Sequence, residues 1–386
     1  MADLEAAVAA VVGADHAQAG PAGLTVRPAS TEEVSAVLRV ATEHSATVLP
    51  VGAGHTVGWL PAPRTDLRVD LRRMGAVLEH SAGDLVVHVQ AGALIEDVQA
   101  AVGAAGQRLA LHPPMGGVTV GGTVNADLSG PERYLHGTAR DLLIGTTSVR
   151  GDGAVTHSGG KVVKNVAGYD LGKLYTGSRG TLGVLTSAWF RLHPLPECTR
   201  WVVAAKADAT AVGHAVAAVR NTQTAPTAIE VRRDHEQTVA VQLDGVAAGI
   251  DVRADAVAGL IGGAVLDTAP AGWGTWPPEE VLLALTHSPA ALAEVLGALP
   301  DVALTGSAVG VLRVGCSVVE APSVLAAARS VCGRHHGSAV VARAPEGHGL
   351  DVWGGSDPAL LALMRRVKDE FDPAGTLSPG RLLGGI

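Results

Sequence analysis

Aromatic residues are few in this chain: two phenylalanines, three tyrosines and six tryptophans among 386 residues. They do not interleave with basic residues, and no basic run occurs. With a formal net charge of −8, that excludes a nucleic-acid partner, which needs a cationic stripe to meet phosphates. Cysteine is as scarce. Cys198, Cys316 and Cys332 lie far apart with no C-x-x-C pair, so neither an iron–sulfur cluster nor a structural zinc is expected within the chain. They read as buried, reduced thiols of a cytosolic protein. The first twenty residues contain acidic residues but no lysine or arginine, unlike the basic start of a secretory signal. Their apolar run is too short and interrupted to span a bilayer. Repeats and low-complexity linkers are missing too. A cytoplasmic protein is expected, peripheral to the inner membrane only through partners.

Glycine is what the chain has in quantity, and three dense loops of it fall in the first half. The central one lies in His112–Asp141, HPPMGGVTVGGTVNADLSGPERYLHGTARD. Glycine is entropically costly, so such a cluster implies either close approach of backbone to a ligand or a run of tight turns and bulges. Upstream stands Pro50–Gly58, P-V-G-A-G-H-T-V-G, and downstream Gly177–Val184, G-S-R-G-T-L-G-V. Together the three suggest one large, extended ligand. The upstream loop follows a short apolar strand, Thr47–Val51, but W-L-P-A-P comes next, and those prolines forbid the helix of a dinucleotide-binding turn. The lysine of a phosphate-binding P-loop is missing as well. The loop therefore reads as a nest of backbone N–H groups for an anion such as pyrophosphate, or as a plain hairpin loop.

Periodicity supplies the rest. A short Ala-rich helix is expected over residues 4–12. A second should start at Ser30, which has capping-box spacing to Glu33, and end near His44, with Val34, Val37, Leu38 and Ala41 on one face. Strands are expected at Leu67–Leu71 and Asp84–Gln90, and a helix at Leu94–Ala105. A hairpin should form across Gly151-Asp152-Gly153, then a strand at Val184–Leu192. The Pro-rich H-P-L-P at 193–196 reads as a domain joint. Beyond it, strands near Trp201–Ala205, Ile229–Arg232, Thr238–Leu243 and Leu312–Ser317 are separated by helical stretches, the texture of an α+β domain. A last helix, Ala359–Phe371, precedes a turn-rich tail.

The motifs also carry a resemblance. P-V-G-A-G-H-T-V-G, T-V-G-G-T-V-N-A-D-L-S-G-P with H-G-T-A-R-D after it, and G-T-L-G-V-L-T look like the FAD-binding fold of the vanillyl-alcohol oxidase / p-cresol methylhydroxylase superfamily. Within it, G-G-K-V-V-K-N-V-A-G-Y-D-L-G-K-L at Gly159–Leu174 resembles the FAD-binding subunit of bacterial glycolate oxidase (the GlcE type), and F-D-P-A-G-T-L-S-P-G-R at Phe371–Arg381 is similar to the family's closing motif. The blocks cover nearly all of residues 25–195 plus the tail. The resemblance implies an α+β fold with a p-cresol methylhydroxylase-type (PCMH-type), two-subdomain FAD-binding domain (1–80 and 81–196), a smaller α+β cap (197–345), and a C-terminal segment (346–386) returning to the FAD domain. It places Gly52, Ala53, Gly54, His55, Thr56 and Gly58 on the phosphates. Thr119, Gly121, Gly122, Asn125, Ser129, Gly130 and Gly137 would follow the ribityl chain and flavin, with Val184 at the adenine end.

Two departures bear on chemistry. His55 stands where glycolate oxidase subunits carry Thr or Ser, and other branches of the superfamily join a histidine in such a context covalently to the flavin. The metal and substrate motif H-x-G-D-G-N of catalytic hydroxy-acid dehydrogenases is not found, and no metal site is expected. Oxidation of a 2-hydroxy acid needs a base near the hydroxyl and cations near the carboxylate. His112, Tyr134, His136 and Lys164 are the candidates, each with a bland alternative in loop capping or packing. The expected function is an FAD-dependent oxidoreductase acting on CH–OH groups. It either oxidises a small 2-hydroxy acid such as glycolate or D-lactate, or relays its electrons between a catalytic flavoprotein and an iron–sulfur subunit. A self-contained covalent-flavin alcohol or sugar oxidase is the alternative.

Overall fold

The computed structural model describes residues 2–21, 23–59, 61, 65–162 and 168–386. Contacts divide them into two compact units. The first is assembled from three separate stretches, 1–128, 138–195 and 356–386, and the second from 129–137 and 196–355.

The first unit is built on two sheets. One has four strands in the order Ala17–Gly20, Gly23–Val26, Leu67–Asp70, Val48–Val51, the last three mutually parallel. Its crossover helix, Thr31–Glu43, buries Val34, Val37, Leu38 and Ala41, the face its period predicts. Ser30 Oγ accepts Glu33 N–H at 3.2 Å, while the Glu33 carboxylate accepts Ala29 N–H at 2.8 Å, a capping box displaced by one residue. The edge strand Val48–Val51 does not stay open. Val48 N–H donates to Thr376 O and Ser378 N–H to Val48 O, both at 2.8 Å, so the closing motif covers an edge that could otherwise pair with another chain.

The other sheet has five antiparallel strands in the order Val77–Ser81, Val86–Gln90, Val184–Arg191, Leu143–Val149, Val155–Gly159. The expected hairpin across residues 151–153 is its last pair. The helix Pro358–Phe371 completes the unit, with Asp357 as its N-cap and Pro358 at the first position, where a missing N–H costs nothing.

The second unit is an eight-stranded antiparallel sheet in the order Ala264–Leu266, Cys198–Lys206, Gln237–Gly245, Ala228–Arg233, Leu304–Ser307, Val311–Cys316, Val281–Thr286, Ser338–Arg343. Helices Ala209–Arg220, Ile250–Ile261, Leu292–Ala298 and Ala321–Arg334 accompany it. Four strands exceed the expectation. Val281–Thr286 (VLLALT) shows no alternation because most of it is buried, and such a run cannot be told from a helix by period. The segment Ser129–Gly137 belongs to this unit, tied by Gln242 Nε2 donating to Glu132 Oε1 at 3.1 Å. Burial pushes the Cys316 and Cys332 thiols up to about 11, so both are inert at neutral pH; Cys198 is half-buried. Among the described residues no helix is long and apolar enough to cross a membrane.

Candidate functional site

A cleft lies in the first unit, where all three glycine loops meet. Its wall begins at the strand Val48–Val51, which runs directly into the loop 52–59. Turns, not a helix, follow, as the prolines require. Gly54 sits at φ +87, and a Cβ built there meets nothing within 4 Å. Its glycine is needed for the backbone angle and leaves that face open to a ligand. Gly52 answers a different need. A Cβ on it would fall 2.0 Å from Thr119 Oγ1 and 3.0 Å from Thr119 Cβ and Cγ2. Gly52→Ala is therefore expected to cost about 1–3 kcal/mol through overpacking, read as an earlier midpoint in urea; an unchanged midpoint would contradict this contact.

The floor is a short helix, Val120–Asn125, inside the central glycine stretch. Thr119 caps it, accepting Gly122 N–H at 3.2 Å. The helix is held to the neighbouring turn by Val120 N–H to Ala93 O (2.8 Å) and Gly121 N–H to Ala91 O (2.7 Å). Two glycines let it approach that backbone. Asn125 joins the third loop to this floor. Its Oδ1 accepts Ser178 Oγ–H at 3.0 Å and Gly180 N–H at 3.2 Å, and its Nδ2 donates to Gly121 O at 3.0 Å.

Two arginines that sequence reasoning did not single out also line the cleft, Arg179 and Arg381. Arg381 is only 3% exposed. Its guanidinium donates to Thr56 O at 2.8 Å and Val57 O at 3.1 Å, which ties up carbonyls of the glycine loop. Its Nε is buried with no hydrogen-bond partner among the described residues. Burial, with the Arg179 charge nearby, pushes Arg381 down to about 10, and burial lowers Arg179 as well. Both remain cationic at neutral pH, and no carboxylate lines the cleft among the described residues. The buried Arg381 guanidinium, with one N–H unspent, offers a donor to an anion there. Each arginine ends or sits within a quoted motif, S-P-G-R and G-S-R-G, and a cation flanked by glycine turns was the signal to follow.

Of the expected cofactor residues, Gly52, Ala53, Gly54, His55, Thr56, Thr119, Gly121, Gly122 and Asn125 line this cleft. Gly58 is in the same loop but not in the lining. Val184 is fully buried at the start of its strand, and its neighbour Leu185 reaches the cleft. Ser129 and Gly130 line a different cavity in the second unit, and Gly137 belongs to that unit. His55 Nε2 lies 3.2 Å from Gly117 O. The candidate bases are not assembled at the cleft. His112 is exposed, Tyr134 and His136 are half-buried on the short helix Arg133–His136 of the second unit, and Lys164 lies outside the described residues.

The site fits FAD on its own chemistry: open glycine backbone, the orphaned buried Nε–H of Arg381 and a lining without a carboxylate among the described residues suit a pyrophosphate. Residues 22–159 match the FAD binding domain family and residues 355–382 the C-terminal domain of FAD linked oxidases. The chain is 31% identical over 210 residues to glycolate oxidase subunit GlcD of Bacillus subtilis, covering 53% of this chain and 44% of that one. It is 36% identical over 155 residues to glycolate oxidase subunit GlcE of Escherichia coli, covering 40% and 44%. These matches span less than half the length of either relative. An uncharacterized FAD-linked oxidoreductase of Mycobacterium tuberculosis is 27% identical over 418 aligned positions, covering 93% and 90%. In fold, the chain resembles p-cresol methylhydroxylase, with a TM-score of 0.72 at 14% identity over 98% of this chain and 96% of that one.

Proposed function

We propose that this chain, with two segments that match FAD-binding and FAD linked oxidase families and a fold like that of p-cresol methylhydroxylase, is an FAD-dependent oxidoreductase of the glycolate oxidase subunit type, acting on the CH–OH group of a small 2-hydroxy acid. The observation that carries this reading is the buried Arg381, within the second matched segment, set with the half-buried Arg179 against open glycine backbone. In this proposal the amides of Gly52–Thr56, with Arg381 and Arg179, hold the pyrophosphate. Thr119, Gly121, Gly122 and Asn125 form the surface along the ribityl chain and flavin. Bound FAD supplies the two-electron acceptor for a hydride leaving the CH–OH carbon. The protein's part is to bind, orient and exclude water, because Asn125 and Thr119 already spend hydrogen bonds on holding two glycine loops together.

The likeness to GlcD and GlcE also motivates the place of this chain in an assembly with a catalytic flavoprotein and an iron–sulfur subunit. An anaerobic visible spectrum, taken before and after adding glycolate or D-lactate, separates the versions. Bleaching of the flavin band is expected if this chain oxidises the acid itself. A band that bleaches only after a partner flavoprotein is added marks a relay. A protein purified without flavin, and unable to take it up, would sink the reading. For His55, Nε2–H donating to Gly117 O makes the ring a brace for the central loop. Acid precipitation is accordingly expected to release all flavin into the supernatant; yellow polypeptide in the pellet would favour the covalent-flavin oxidase instead.

A further inference from the structure

One side-chain contact ties the wall of the cleft to the chain that leads into its floor. His55, on the first glycine loop, lines the cleft and is exposed, so it stands at the rim. Its Nε2 lies 3.2 Å from the carbonyl oxygen of Gly117, just ahead of Val118 and Thr119. A carbonyl only accepts, so Nε2 carries the proton and donates. The other polar group of Gly117 is held as well. Its N–H donates to Glu96 Oε2 at 3.2 Å, from the helix Ile95–Gly103. Glu96 is also exposed, and among the described residues neither side chain makes another hydrogen bond or ion pair. Two exposed side chains are thus spent on one glycine.

The chain around that glycine is a strap fixed at both ends. At one end Gln99 holds buried backbone: its Nε2 donates to Leu109 O and, at 3.2 Å, to Leu111 O, and its Oε1 accepts Leu109 N–H at 3.1 Å. At the other end Ile95 N–H donates to Val118 O at 2.9 Å. Between these anchors Pro113, Pro114, Met115 and Gly116 make no hydrogen bond among the described residues, and the prolines have no N–H to give. From Pro113 onward, the polar hold on the middle of the strap is the pair of bonds at Gly117.

We infer that His55 and Glu96 are a latch: they fasten this strap to the rim of the cleft, and FAD enters and leaves when the latch lets go. The inference deepens the FAD reading above and rests on it. A bond made alike in the free and the loaded protein sets how often the cleft is open. Weakening it raises the rates of entry and exit together and leaves the dissociation constant where it was. Loss of a contact to the ligand instead raises the exit rate and the dissociation constant, and leaves entry alone.

The test is stopped-flow mixing of the flavin-free full chain with FAD, followed by flavin fluorescence. Exit is timed by capture of released FAD with an excess of an unrelated FAD-binding apoprotein. Glu96→Ala should raise both rates about twofold to tenfold, the scale of one hydrogen bond, at an unchanged dissociation constant. His55→Ala should raise both rates as well. Gly116→Ala should slow both about twofold to fivefold, because alanine takes freedom from the released strap. That site is open: Gly116 is outside the left-handed region, and a Cβ there would meet only Glu96 Oε2, at 3.9 Å. Wild-type rates in Glu96→Ala and His55→Ala alike would overturn the latch, and so would faster exit from Glu96→Ala with entry unchanged. A chain that takes up no FAD would overturn the cofactor reading and the latch with it, whereas uptake with the wrong pattern of rates overturns the latch alone.

Discussion

Arg381→Met is expected to give a folded protein that has lost most of its flavin, with FAD binding weakened about 100-fold or more. Two roles are removed at once. The guanidinium holds the carbonyls of Thr56 and Val57 at 2.8 and 3.1 Å, and without it those carbonyls can turn toward the cleft and oppose the anion. Its charge, in a site without a lining carboxylate, is lost as well; hydrogen bonds to charged groups contribute about 1.5–3 kcal/mol each. Arg381→Lys restores charge but not a fork that can serve two carbonyls, so it should recover only part of the affinity. Arg179→Met should cost less, about tenfold, because Arg381 remains. Quenching of flavin fluorescence on titrating the flavin-free protein measures all three, with circular dichroism as the check on folding. Wild-type FAD affinity in Arg381→Met would show that this guanidinium does not hold the cofactor.

The largest effect on stability is expected from Asp372→Ala. Lys368 and Asp372 form a buried ion pair one helical turn apart, with Lys368 Nζ 2.5 Å from Asp372 Oδ2. The ammonium also donates to Thr181 O and Leu377 O, both at 2.8 Å, and Asp372 accepts Thr376 N–H at 3.1 Å and Leu377 N–H at 2.7 Å. Every donor and acceptor is used, which is what makes such a pair tolerable inside a protein. Burial depresses the Lys368 pKa even with Asp372 present, so removing the carboxylate leaves an uncompensated cation. About 3–5 kcal/mol should be lost, seen as a large drop in the urea midpoint. The double variant Lys368→Met/Asp372→Asn should recover part of it, because no charge is then left alone. A single variant as stable as wild type would mean that the closing motif is not held by this pair.

Much of the fold was legible because its signals were local. Ser30 with Glu33, the apolar spacing of Val34 to Ala41, the Gly151–Gly153 turn and Pro358 ahead of its helix each specify an element within a few residues. The glycine loops marked the cleft because backbone approach leaves a compositional trace. Three things were not legible. The helix Val120–Asn125 (VGGTVN) has poor intrinsic propensity, and it forms because Thr119 caps it and the Ala91 and Ala93 carbonyls hold its start. Arg381 reaches Thr56 across more than 300 positions of sequence, a contact that no local pattern encodes. Ser129 and Gly130 read as part of the central loop, yet they line the cavity of the other unit, because a chain can change partners between one residue and the next.

The first unit is discontinuous, and this has a consequence for its synthesis. Its third stretch, Ser356–Ile386, supplies Arg381, the Lys368–Asp372 pair and the bridge to Val48. The ribosome makes that stretch only after all of Pro196–Gly355. At bacterial or eukaryotic speeds of about 5–20 residues per second, the glycine loops wait many seconds with an open sheet edge and an unfinished floor. The intervening unit, contiguous but for Ser129–Gly137, can assemble in that interval. If Arg381 holds the cofactor as proposed, capture is a late event of biogenesis, and a chain arrested before residue 381 would lack the guanidinium that ties the Thr56 and Val57 carbonyls.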